Sequence, residues 1–347
     1  MKNKTIFFLA DAKSIHTVKW VDYFVQKDYK VYLATFANIN NTKCKNIYFL
    51  TKNKSSVRGG NYHYLLFVSK LAKILKEIKP DFINAHYSYS MGLIAYLAIQ
   101  KSKIKTNFSV VCHGSDILDT PAPFIFNKVN QFILKKADNV FVVSDQIKDK
   151  LVDWKISEEK IFVGQYGIDL IEQNDITKDI DILSNRTYCD NSNIEFLLES
   201  LMPFKGRDLN IVFILPTVSD EDFNRLKERY SFIKFYKYVE YNEMIKMLNR
   251  TKIYISATKS DGTSLSLLEA MGSGCVPLVS NIVSNRSWIL DTVNGYLFNN
   301  KRDFQYKLQT ILDDKGMFLE MLNINIQLIR KRANYNTQMK KIEESIK

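Results

Sequence analysis

From Thr5 to Ser144, short runs dense in β-branched and aromatic residues alternate with longer amphipathic stretches. TIFFLA (5–10), KVYLATF (30–36), DFINAH (81–86), NFSVVCH (107–113) and NVFVVS (139–144) are continuous apolar runs of the kind buried on both faces of a parallel sheet. The segments between them, about 14–27, 62–79, 90–101 and 123–136, are long enough for crossover helices. This alternation predicts a doubly wound α/β domain. The rhythm restarts after Asp169, with strands expected at 209–215, 232–236, 252–256 and 276–280. A further strand is expected just before Arg186, and a short final one after Asn294-Gly295, itself a turn signal.

The stretch 167–182, GIDLIEQNDITKDIDI, is acidic, polar and weakly periodic, and is read as the linker. The predicted organisation is one α/β domain over 1–170, a second over 171–325 and a C-terminal helix over 326–347, its last stretch solvated. Ligands of such folds sit outside the carboxyl ends of the strands, so a cleft faced by both domains is the expected site.

A length of 347 residues agrees with two domains at roughly 150 residues each. Four widely spaced cysteines, none in CxxC or zinc-ligand spacing, predict reduced thiols and no metal. The apolar run at Ile6–Ala10 is too short for a signal peptide, and no stretch reaches the roughly 18–20 apolar residues of a membrane span. The expected location is cytoplasmic.

Charge changes the picture once it is divided. Residues 1–170 hold 25 basic and 14 acidic side chains, hence +11, whereas 171–347 hold 24 and 23, hence +1. The basic half predicts an anionic partner. Lys70, Lys73, Lys76 and Lys79 recur every three residues beside an apolar stripe, with Lys52, Lys54 and Arg58 before them. They form either a surface for an anionic membrane or a merely solvated helix face. No nucleic-acid motif accompanies the charge, so nucleic acid is not the expected partner.

The most specific stretch is SATKSDGTSLSLLEAMGSGCVPLVSN, 256–281: a strand end, a loop, a helix and a second strand. Thr263 and Ser264 are N-cap residue types before the apolar Leu265, Leu267 and Leu268. Backbone amides at a helix start make an anion site suited to a diphosphate. Asp261 lies before the helix and Glu269 within it, seven residues intervening. Carboxylates accept hydroxyl hydrogen bonds and so hold vicinal diols. A diphosphate flanked by two polyols is a nucleotide-sugar.

These residues resemble the acid-x7-acid signature of retaining GT-B glycosyltransferases of the group 1, family 4 type, with Asp261 in place of the usual Glu, as in the bacterial surface-polysaccharide branch. The resemblance implies two Rossmann-like domains facing a cleft, an acceptor-binding one over 1–170 and a nucleotide-sugar-binding one over 171–325. It implies that Asp261 contacts the transferred sugar, Gly262, Thr263, Ser264 and Leu265 the diphosphate and sugar, and Glu269 the nucleotide ribose. It further implies front-face transfer, in which the leaving phosphate takes the acceptor proton, with neither a cofactor nor a metal.

Arg186 matches the family's diphosphate-clamping Arg, and a guanidinium fork suits phosphate oxygens. The family's Lys a few residues later is missing: 190–193 read Asp-Asn-Ser-Asn, and Lys205 lies too far along. His113, in VVCHGSDIL, matches a His-Gly-Ser-Asp stretch frequent in the family and is assigned with Asp261 to catalysis; Asp116 is read as a helix cap. Ser14 and His16, in the first strand-to-helix loop, and His86, at a strand end, are acceptor-side candidates or, equally, a cap and core packing. No G-x-G-x-x-G is present, and His63 is expected on the surface. The expected partners are a nucleotide-sugar donor, a glycan or lipid-linked acceptor and an anionic membrane surface. Two other readings remain open, a GT-B sugar-nucleotide epimerase and a non-catalytic glycosyltransferase-like partner subunit.

Overall fold

The computed structural model describes residues 4–36, 38–39, 41–51, 62–120, 122–164, 167–169 and 177–346. The chain forms two compact units, one of Met1–Tyr166 with Asn336–Lys347 and one of Gly167–Tyr335.

The first unit is built on seven parallel strands: β1 Thr5–Leu9, β2 Lys30–Thr35, β3 Asn46–Phe49, β4 Phe82–His86, β5 Asn107–Cys112, β6 Asn139–Val142 and β7 Ile161–Val163. Their order is β3-β2-β1-β4-β5-β6-β7. Phe7 of β1 pairs with Tyr32 on one side and Ile83 on the other. Strand order therefore reverses between β1 and β4, and the loops leaving these two strands diverge to open a crevice. Helices α1 Ile15–Gln26, α2 Val68–Ile78, α3 Leu93–Ser102, α4 Pro123–Lys136 and α5 Asp145–Asp153 connect the strands. In α2 the 3.6-residue period is plain: Leu71, Ala72, Ile74 and Leu75 are buried, and Lys70, Lys73 and Lys76 are exposed. The missed strands β3 and β7 are edge strands, only partly buried, so they lack the apolar runs that mark the centre of the sheet.

The second unit holds six parallel strands: β8 Ile180–Asn185, β9 Ile211–Ile214, β10 Lys234–Tyr236, β11 Thr251–Ser256, β12 Val276–Ser280 and β13 Tyr296–Phe298. The order is β10-β9-β8-β11-β12-β13, with its reversal between β8 and β11. Its helices are α6 Ile194–Leu201, α7 Asp220–Arg229, α8 Tyr241–Asn249, α9 Leu265–Gly272, α10 Val283–Arg286, α11 Lys301–Asp313 and α12 Lys315–Arg332. Strand β8 begins inside the stretch expected to be linker, because Ile180, Ile182 and Leu183 are core residues despite the intervening Asp181. Residues 170–176 of that stretch lie outside the described residues. Gly167 takes φ 75°, and a Cβ there would stand 2.4 Å from the carbonyl oxygen of Ala333, so glycine lets the outgoing chain pair with the returning one.

The tail departs from expectation. It divides between the units instead of forming one separate solvated helix: α12 packs within the second, and α13 Tyr335–Ser345 belongs mainly to the first. Met339, Ile342 and Ile346 are buried at helical spacing, a stripe masked in the sequence by neighbouring lysines. Tyr23 and Tyr29 donate to Glu343 at 2.9 and 2.8 Å. Among the described residues no helix is long and apolar enough to cross a membrane.

Candidate active site

In the second unit, the end of β8 and the end of β11 are neighbours at the strand reversal, which brings Arg186 to the loop before α9. The Arg186 guanidinium donates through Nη1 to Ser264 Oγ at 3.0 Å and through Nη2 to Asp261 Oδ2 at 3.1 Å. Both members of this ion pair are largely withdrawn from solvent. Ser264 is the N-cap of α9, accepting from the Leu267 amide at 3.3 Å. Thr263 hydrogen-bonds the Gly262 carbonyl and does not cap. Helix α9 then ends at Gly272, with Gly274 at φ 73° turning the chain into β12.

Glu269 is buried, 8 % exposed, and accepts from the Tyr241 hydroxyl of α8 at 3.0 Å. Burial first, then the adjacent Glu269 carboxylate, raises the Tyr241 phenol, which therefore stays protonated and donating. The fully buried Tyr254 of β11 has its phenol raised by burial, with Arg186, Ser266, Glu269 and Asp261 acting on it. Arg186, Asp261 and Ser264 therefore form one hydrogen-bonded cluster at the start of α9, and Glu269 lies further along the same helix.

Asn191 lies in the stretch 190–193 where the family's Lys is missing, and it ties two loops together. Its side chain donates to the Ser260 carbonyl at 2.9 Å and accepts from the Ser260 amide at 3.0 Å, and its carbonyl accepts from Lys259 N at 2.9 Å. Asn191 thus staples the loop after β8 to the loop carrying Asp261. Lys205 lies beyond α6, whose eight residues span about 12 Å.

In the first unit the reversal gathers three histidines: His16 on the first turn of α1, His86 ending β4 and His113 following β5. His86 Nδ1 and His113 Nε2 are 3.0 Å apart, and the His16 and His113 ring centres 5.5 Å. His86 is fully buried, edge-on to Trp20 and Phe8, so it supports His113 from beneath. His113 is half-buried and lies against Tyr87, which holds an unusual φ of 73°. Burial lowers both imidazoles, His86 to about 3, and the neighbouring rings add to the effect, so both are neutral at pH 7. Ser14 occupies the N-cap of α1 without a side-chain cap bond.

Asp116 is not the cap that the sequence suggested. It is buried, and its carboxylate accepts from the amides of Ser88 (2.9 Å), His113 (3.0 Å) and Gly114 (3.1 Å). It thereby fixes the loops after β4 and β5 to each other. Burial raises its carboxyl to about 6 despite the amide bonds, which act in the opposite direction. Sequence gave no separate signal for this, since a carboxylate that caps a helix and one that clamps a loop look alike until the second loop is known. Tyr241 and Asn191 were also missed, one an ordinary helix-start residue and the other visible only as a missing Lys.

The surface of this unit carries exposed lysines and exposed apolar side chains. Lys70, Lys73, Lys76 and Lys79 are exposed, as is His63, whereas Lys52, Lys54 and Arg58 lie outside the described residues. Leu66 is 75 % exposed, Phe124 77 % and Ile125 52 %, with the Lys128 ammonium 4.2 Å from the Phe124 ring centre. All four cysteines are free thiols. Among the described residues no group of three or more His, Cys, Asp or Glu side chains could hold a metal ion.

Comparison with known proteins gives a consistent picture. Residues 5–144 match the family described as glycosyl transferase 4-like, and residues 173–331 match the glycosyl transferases group 1 family. A curated relative, the GtfA subunit of the UDP-N-acetylglucosamine–peptide N-acetylglucosaminyltransferase of Streptococcus pneumoniae, is 23 % identical over 309 residues. That match covers 81 % of this chain but 59 % of the relative, so the chain spans about three fifths of its length. Among solved structures, a glycosyltransferase of Rickettsia africae superposes with a TM-score of 0.81 at 18 % identity, covering 100 % of this chain and 98 % of that one. HepE of Anabaena, crystallised with UDP, gives 0.78 at 13 % identity and 99 % coverage of both chains.

Proposed function

The chain belongs to the glycosyltransferases of the GT-B fold, and we propose that it transfers a sugar, with retention of anomeric configuration, from a UDP- or GDP-sugar to a glycan or lipid-linked acceptor. The single observation that carries this reading is the cluster at the β8/β11 reversal. Arg186 bridges Asp261 and the helix-capping Ser264, and Glu269 lies on the same helix as that cap. A nucleotide-diphospho-sugar has two anionic centres for Arg186 and the helix-start amides, sugar hydroxyls for Asp261 and a ribose diol for Glu269.

In this reading, donor binding redirects Arg186 from Asp261 toward the diphosphate, where it stabilises the charge that grows as the glycosidic bond breaks. The departing phosphate oxygen takes the acceptor proton, so neither carboxylate is needed as a nucleophile. Gly262, Thr263 and Leu265 line the diphosphate and sugar. His113 hydrogen-bonds a sugar hydroxyl or phosphate oxygen, and Ser14 and His16 lie on the acceptor side with His86 behind. The named activity of the pneumococcal relative and the UDP held by HepE favour uridine as the base.

We assign the acceptor to the basic first unit and place the enzyme in bacterial envelope-glycan synthesis, on the cytoplasmic face of the membrane. A non-catalytic partner subunit is the second reading. It is favoured by the Asp-Asn-Ser-Asn stretch at 190–193 where the Lys was expected and by Asp261 in place of the usual Glu.

The deciding experiment is a thermal-shift screen against UDP, GDP, ADP, CMP and their common sugar conjugates, with Glu269→Ala in parallel. One nucleotide family should raise Tm in the native chain and fail to do so in the variant. A folded protein indifferent to all of them would refute donor binding.

A further inference from the structure

His86 and His113 share a short nitrogen–nitrogen contact, and a hydrogen bond between two neutral imidazoles requires one to donate and the other to accept. The burial of His86 decides which. Its Nδ1 faces His113 Nε2 at 3.0 Å, and its Nε2 is buried with no hydrogen-bond partner among the described residues. Were the His86 proton on Nε2, a buried N–H would be left without an acceptor, one of the costlier defects of a folded interior. With the proton on Nδ1, the atom left over is a bare ring lone pair. That lone pair costs less to leave unpaired, and Trp20 and Phe8 stand edge-on to the ring.

We propose that His86 is a positioning residue that donates from Nδ1 to His113 Nε2 and so locks His113 in its Nδ1–H tautomer, making His113 a hydrogen-bond donor toward its ligand. With Nε2 of His113 occupied as an acceptor, its remaining ring nitrogen carries the proton. The half-buried ring then has no free lone pair with which to act as a base. The backbone is held to the same end, because the His113 amide is bound by Asp116 at 3.0 Å. An N–H donor suits a hydroxyl or phosphate oxygen, and it leaves acceptor deprotonation to the departing phosphate. The nature of that ligand rests on the glycosyl-transfer reading; the tautomer does not.

The test is side-chain ¹⁵N NMR of the full chain labelled at its four histidines, each assigned by its loss in a single variant. In the native protein both His86 and His113 should carry the proton on Nδ1. His86→Asn keeps an N–H donor close to the Nδ1 position and should leave His113 in that tautomer. His86→Phe fills the apolar pocket without a donor, and His113 should shift to the Nε2–H form that free imidazole favours. A native His113 protonated on Nε2, or a His113 tautomer unchanged in folded His86→Phe, overturns the proposal. Because the spectra need no ligand, a chain with the expected tautomers that binds no nucleotide-sugar would refute the transfer reading alone.

Discussion

Arg186 and Asp261, 75 residues apart in sequence, form an ion pair at 3.1 Å in which the residue assigned to the donor phosphates neutralises the residue assigned to the donor sugar. Each compensates the other's charge in a partly desolvated site. Asp261→Asn should free the guanidinium and remove a negative charge beside the diphosphate. UDP alone should then bind equally or about threefold more tightly, while transfer falls at least about a hundredfold. Calorimetric titration with UDP and a turnover assay separate the two effects. UDP binding that weakens in step with turnover would place Asp261 on the nucleotide instead.

Glu269 and Tyr241 give a second handle. The Tyr241 hydroxyl donates to Glu269 at 3.0 Å and leaves the carboxylate oriented. Tyr241→Phe should cost about 1 kcal/mol of stability and weaken nucleotide binding several-fold. Nucleosides lacking the ribose 2′-hydroxyl should be bound almost as well by the variant as by the native chain. Urea unfolding and competition with the 2′-deoxy nucleotide measure the two expectations.

The buried groups around His113 set opposite pH dependences. His86 falls from 6.5 to about 3 on folding, so between these values the unfolded chain binds a proton that the folded chain refuses, and stability drops as pH falls through the window. Asp116 rises from 3.8 to about 6, so in that range the folded chain holds the extra proton, which opposes the loss. Replacing His86 by Asn should flatten the acid limb by one proton, about 1.4 kcal/mol per pH unit, and Asp116→Asn should steepen it. Urea midpoints at three pH values between 4.5 and 7 would show this; parallel slopes for native chain and variants would contradict it.

The central strands and the helix carrying Glu269 were legible in the sequence because both are local signals. Continuous apolar runs mark β1, β4 and β11, and an N-cap followed by leucines marks α9. Non-local relationships were invisible. That Arg186 touches Ser264, that Asp116 serves the loop of Ser88 and that Asn191 ties down Ser260 all depend on the order of strands, which no spacing encodes. Edge strands β3 and β7 failed for a different reason, since partly exposed strands need no apolar run. The helix at the tail was expected, but the burial of α13 was missed because its lysines outvoted the stripe of Met339, Ile342 and Ile346.

Leu66, Phe124 and Ile125, exposed in the same unit as the lysine face, predict binding to anionic bilayers. The native chain should co-sediment with vesicles containing phosphatidylglycerol at low salt and be released as salt rises. Phe124→Ser with Ile125→Ser should reduce binding roughly tenfold without lowering Tm, because these side chains contribute little to the core. Equal binding to neutral vesicles would argue against the lysines.

Helix α13 returns to the first unit and buries Met339 and Ile342 where Glu343 meets two tyrosines. Its removal should therefore destabilise the half of the molecule that precedes it by more than 300 residues in sequence. Glu343→Gln retains one acceptor oxygen for two hydroxyls and should cost about 1 kcal/mol, whereas Met339→Ala should cost about 2–4 kcal/mol through the cavity it leaves. Hydrogen exchange localises the effect: amides of α1, which carries Tyr23, should lose protection in both variants. Protection lost instead around α9, with α1 unchanged, would show that the helix serves the second unit.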